Sequence, residues 1–152
     1  MQDPPEAEAR AWLAGFLVCD DPGEWVHQRL PKGLVSLSCG LVDSDGVGTG
    51  LLLELLFRRS VKTDIEKFVF SVFKLTPHGR LRTYQLDIEK FKSPPKNLHS
   101  MPHEHFGDKR IIGTSDWFNW SYEEILYRFC SQTGVKFLPA PPQGPEVFEL
   151  KG

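Results

Sequence analysis

Residues 49–60, "TGLLLELLFRRS", decide the fold. Leu51 to Leu53 and Leu55 to Phe57 leave only Glu54 polar, so the run is apolar on both faces of a strand. It is far shorter than the roughly 20 apolar residues a bilayer span requires. Turn chemistry bounds it, with "DSDG" (43–46) before it and Lys62 to Asp64 after it. Asp43, Asp45, Gly48 and Glu54 imitate the first, third, sixth and twelfth positions of a calcium loop. Val47 offers no ligand at the fifth position and no helix flanks the stretch, so "DSDG" reads as a hairpin turn.

Working outward, the same pattern of short runs rich in Val, Leu and Phe recurs on either side. "WVHQRL" and "LVSLSCGLV" precede; "EKFVFSVFKL", the turn "TPHG" and "RLRTYQLDI" follow. In the second of the doubly apolar runs Val69 and Phe73 oppose Phe68 and Phe70. An antiparallel meander of five strands is the economical reading, rising to seven if "PHEHF" and the terminal "EVFEL" join it. With both faces apolar, both are expected to be covered in part. Ala9, Trp12, Leu13, Phe16 and Leu17, at helical spacing behind Pro4 and Pro5, predict a helix over 6–18. Ser121 and Glu124 form a capping box, Tyr122, Ile125, Leu126 and Phe129 a stripe, and Gly134 a stop, predicting a second helix over 121–134. Trp117, Phe118 and Trp120 read as a staple holding that helix to the sheet. The fold class expected is α+β, one domain over 1–152, with an antiparallel meander of five to seven strands packed by an N-terminal and a C-terminal helix.

Composition narrows the function. The 152 residues are 40% hydrophobic and 25% charged with a formal net charge of −2, so no blanket basic footprint exists and nucleic-acid binding would need a local patch. Cys19, Cys39 and Cys130 have no CxxC spacing and are odd in number, which fits a reducing, cytoplasmic setting. The acidic start "MQDPPEAEAR" is unlike a signal peptide, and no membrane association is expected. Glycine-rich phosphate loops and a GxSxG elbow are absent from the sequence, leaving nucleotide-cofactor and hydrolase readings without support.

The chemistry gathers at "MPHEHFGDKR" (101–110). As a strand, "PHEHF" sends His103 and His105 from one face, their Cβ atoms about 6 to 7 Å apart. Glu104 then points the other way. Three readings stay open. The pair can do acid/base chemistry, with Lys109 and Arg110 stabilising a phosphate. It can ligate a metal, if His99, Asp87 or Asp108 supplies a third ligand. It can be structural. Arg58, Arg59 and Lys62, with Arg80 and Arg82 on the next hairpin, are either a basic patch near Tyr84 and the histidines or solubilising charges at strand ends.

"YQLDIEKF", "MPHEHFGD" and "WSYEEILYRF" together resemble the C-terminal half of the TumE group of bacterial toxin-antitoxin toxins, with Tyr84, Asp87, Pro102, His103, His105 and Gly107 matching. The resemblance implies a small cytosolic toxin-like protein acting on nucleic acid, RNA or DNA, and bound by a cognate antitoxin or another protein. Taken with the reading of the residues above, the expected site comprises His103, His105, Asp87, Lys109 and Arg110, with Arg80, Arg82 and Tyr84 on the nucleic acid, and no cofactor is expected. The competing class is a non-catalytic interaction or inhibitor module with structural histidines.

Overall fold

A computed structural model describes residues 2–30, 32–60, 62–91 and 101–145. His99 and the stretch "EVFEL" lie outside the described residues. The fold is α+β. Helix α1 (Glu6–Trp12) is followed by strands β1 (Leu17–Cys19), β2 (Val26–His27), β3 (Leu34–Val42), β4 (Gly48–Arg59), β5 (Glu66–Thr76), β6 (Gly79–Lys90), β7 (His103–Phe106) and β8 (Lys109–Ile112). A 3-10 turn (Ser115–Asn119), helix α2 (Tyr122–Thr133) and β9 (Val135–Phe137) complete it. The strands form one sheet in the order β8-β7-β6-β5-β4-β3-β1-β9, with β2 also on β3. β2 to β6 form the expected antiparallel meander, which β7 and then β8 extend at one edge, while β1 and β9 pair in parallel at the other.

The turns obey local chemistry. Asp43 Oδ1 accepts from the Asp45 and Val47 amides, at 2.9 and 3.0 Å, closing the β3–β4 hairpin around Gly46, whose φ is 80°. Those bonds engage the carboxylate that a calcium loop would present first. The Thr76 hydroxyl donates to Gly79 O at 2.7 Å in the β5–β6 turn.

Nine strands among the described residues exceed the five to seven expected, because short pieces were recruited by neighbours. Leu17 and Val18, the first two residues of β1, lay inside the expected helix 6–18, which instead ends at Trp12. Leu17 and Cys19 are buried by pairing with β3 and β9, while Phe16 is left 62% exposed. Pairing on two sides outweighs the helical spacing of three residues.

One face of the sheet holds the core: Val35, Leu37 and Leu41 of β3, Leu51, Leu53, Leu55 and Phe57 of β4, Phe68, Phe70 and Val72 of β5, and Tyr84, Leu86 and Ile88 of β6. α2 lays Tyr122, Ile125, Leu126 and Phe129 on it, Phe129 meeting Phe70 and Tyr84 edge-on or tilted, with ring centroids 6.1 and 5.8 Å apart. Each such side chain contributes about 1.5–3 kcal/mol by burial. α1 lies on this same face: Arg10 stacks 3.7 Å from the Phe106 centroid, and Leu13 belongs to the core. The expectation that helices would cover both faces is therefore corrected. The second face carries Leu52, Leu56, Val69 and Phe73 half-buried, with no helix over them among the described residues.

The capping box is formed as expected. Ser121 Oγ accepts from the Glu124 amide (3.2 Å), Glu124 Oε1 from the Ser121 amide (3.1 Å), and Gly134 closes the helix with φ 77°. Trp117 and Trp120 stack at 4.8 Å against the core, in the staple role. Ser121→Ala should cost about 1 kcal/mol in urea unfolding. A loss below about 0.3 kcal/mol would show that packing alone starts α2.

Candidate functional site

Strand register builds the site on the helix-free face. Directly opposed residues project to the same side. One row runs Leu56, Val69, Asp87, His103 and Ile112 across β4 to β8, and the next runs Glu54, Ser71, Gln85, His105 and Arg110. Apolar side chains flank a polar band, and within it Gln85 Nε2 donates to Ser71 Oγ at 3.0 Å. Ser71 is fully buried although no described helix covers it, and the His103 and Asp87 side chains keep only 15% and 21% of their exposure.

The two imidazoles meet edge to face, centroids 5.0 Å apart. His103 Nδ1 lies 3.0 Å from Met101 O; a carbonyl only accepts, so Nδ1 carries the proton. Its Nε2 faces Asp87 Oδ2 at 3.9 Å, positioned to pair with it when the ring is protonated. His105 differs. Burial first, then the charges of Arg82, His103 and Arg110, push it down to about 4, so it is neutral at physiological pH. Among the described residues its buried Nδ1 has no hydrogen-bond partner.

This carries a pH dependence. The folded pKa lies below the unfolded value near 6.5, so on acidification the unfolded chain binds the proton first. The stability His105 contributes is complete above about pH 6.5 and is lost as pH falls toward 4. The ring is only half-buried, so after discounting for solvent screening the loss should be about 1 kcal/mol. His105→Gln should remove that slope from the stability profile; an unchanged profile would place the titration elsewhere.

Arg82 joins the histidines because β6 is bulged. Val72 pairs with Tyr84 but Phe73 with Arg82, leaving Thr83 as the extra residue. Plain alternation would put Arg80, Arg82 and Tyr84 on one face; the bulge shifts the phase, so Arg82 shares the face of Gln85 and His105 while Tyr84 turns into the core. The expected nucleic-acid role of Tyr84 is corrected accordingly, since a fully buried ring offers nothing to stack on. Lys109 is likewise corrected: it opposes Phe106 and projects from the helix-covered side, away from His105. Arg80 stays on the histidine face but opposes Leu75, about 13 Å along the strands from the His105 row, and is paired with Glu54 at 3.1 Å. Arg58 opposes Lys67, about 20 Å along β5 from the Phe73–Arg82 pair, so the expected single basic patch is divided.

On the opposite side of β7 the alternation buries Glu104 to 1% exposure. Its carboxylate accepts from the Tyr84 hydroxyl (2.7 Å), Arg128 Nε (3.2 Å) and Nη2 (2.5 Å), and Gln132 Nε2 (3.0 Å). Burial, and then the nearby carboxylate, raise the Tyr84 phenol well above its ordinary range, so it remains a donor. The network locks β7, and with it both histidines, to α2. Sequence reading missed it, although a glutamate between two same-face histidines was a signal for a buried charge in need of a partner. Asp3, which pairs with Arg82 at 2.8 Å, carried no sequence signal.

Among the described residues no three His, Cys, Asp or Glu side chains converge as a metal site would require, and no helix is long and apolar enough to cross a membrane. No protein-family model, curated protein or solved structure matches the chain.

Proposed function

We propose that the chain is a small toxin-like protein of the toxin-antitoxin kind that acts on nucleic acid through the helix-free face of its sheet. One observation carries the reading: His103, His105, Asp87, Arg82 and Arg110, drawn from three strands, share one polar patch with apolar borders. This donor set suits phosphodiester transfer in RNA. A neutral His105 takes the proton of a ribose 2′-hydroxyl, and the freed oxygen attacks phosphorus. The 5′-oxygen leaves with a proton from His103, whose Nε2 faces Asp87 Oδ2 at 3.9 Å. Arg82 and Arg110 neutralise the non-bridging oxygens. A pKa near 4 makes His105 a weak base in the free protein. A phosphate bound between the two arginines offsets two of the charges that depress it, moving it toward the useful range.

Induced expression in bacteria is expected to slow growth, and purified protein to cleave single-stranded RNA. Protein that is harmless in cells and inert toward RNA and DNA would overturn the proposal. A second reading, a non-catalytic interaction or inhibitor module, is favoured by one observation: Nδ1 of His103 is already engaged with Met101 O inside the protein, as in a purely structural brace. A defined protein captured by inert, harmless wild type would support that reading.

A further inference from the structure

The residues ahead of α1 are clasped to the β7–β8 turn. Pro4 O accepts from the Asp108 amide at 2.8 Å. Gly107, with φ 55°, lies so close beneath that carbonyl that any Cβ there would collide with it. One residue before this anchor, Asp3 Oδ2 lies 2.8 Å from Arg82 Nη2. Arg82 is the charged neighbour that weighs most on His105, and its Nη1 reaches Gln85 Oε1, at 3.5 Å, in the same polar row.

A carboxylate and a phosphodiester look alike to a guanidinium: each offers two terminal oxygens sharing one negative charge. The geometry points to Asp3 as a built-in stand-in for a substrate phosphate, occupying Arg82 until a backbone phosphate of single-stranded RNA displaces it. This rests on the proposed reading of the histidine face. The tether makes Asp3 a standing competitor, since a group held one residue from its anchor has an effective concentration in the millimolar range or above. The contact is nonetheless reversible, because the Asp3 side chain is 36% exposed and open to an incoming anion. The sequence beginning "MQDPP" then tunes affinity and salt response as well as starting a helix.

The test compares wild type and Asp3→Asn for binding of a short labelled oligouridylate at low salt, each with and without Arg82→Gln. Asp3→Asn should bind about threefold to tenfold more tightly, the range expected when a partly exposed ion pair no longer competes. Arg82→Gln should weaken binding and abolish the difference. Asp3→Ser, which removes the charge with a smaller side chain, should behave like Asp3→Asn and guards against a local rearrangement. A contact that only held the fold would lower affinity when cut, the opposite sign. If wild type binds and both Asp3 variants bind equally or less tightly, the stand-in role is overturned and the site reading stands. If no variant binds, both fail.

Discussion

Arg128→Met is expected to destabilise the protein by about 3 kcal/mol. Glu104 is a carboxylate at 1% exposure, and Arg128 supplies two of its four hydrogen bonds and its counter-charge. Removing one partner of a buried pair costs roughly 3–5 kcal/mol, because the remaining charge cannot be solvated. The lower end applies here, since Tyr84 and Gln132 still donate to Glu104. Methionine keeps much of the side-chain volume that now packs 5.1 Å from the centre of the Trp117 ring, so the loss reports charge more than packing. Adding Glu104→Gln should restore part of it, because the neutral amide oxygen can still accept from Gln132 while its NH2 group turns to donate to the Tyr84 hydroxyl oxygen, with no charge left buried. Urea unfolding measures both. A loss below about 1 kcal/mol for Arg128→Met would mean that the carboxylate does not depend on the guanidinium.

The second large effect concerns activity. If the helix-free face performs phosphoryl chemistry, His105→Ala should lower RNA cleavage by about a hundredfold to ten-thousandfold, the usual worth of one proton-transfer group. Growth inhibition should be relieved at equal protein level. Lys109→Ala should change the rate by less than about threefold, since Lys109 leaves the sheet on the other side. The contrast between neighbouring positions separates a site effect from a general one. Melting curves must accompany both, because truncating a half-buried ring that unfolds β7 would imitate a catalytic loss. A folded His105→Ala protein with undiminished toxicity would remove this residue from the chemistry.

Where the signals were local, the sequence could be read directly. Ser121, Glu124 and Gly134 bound α2 by bonds that span at most four residues. Asp43 and Gly46 closed their hairpin in the same way. The alternation of "HEHF" put His103 and His105 on one face and Glu104 on the other, and the structure keeps both sides of that statement. The failures share a cause as well. Leu17–Cys19 carries helical spacing and strand partners at once, and only the presence of β3 and β9 tips the balance.

What the sequence by itself determined was the set of long strands, the turns between them, α2 with its caps, and the histidine pair. Each follows from sterics and hydrogen bonding within a few residues. Only the tertiary structure decided which arginine stands beside His105, which face the helices cover, and what neutralises Glu104. Arg82 arrives through a bulge that shifts the phase of β6, Arg128 meets Glu104 across 24 residues, and Asp3 meets Arg82 across 79. A bulge changes the alternation without a residue type that announces it. Contacts across such separations exist only once the sheet has brought their strands together.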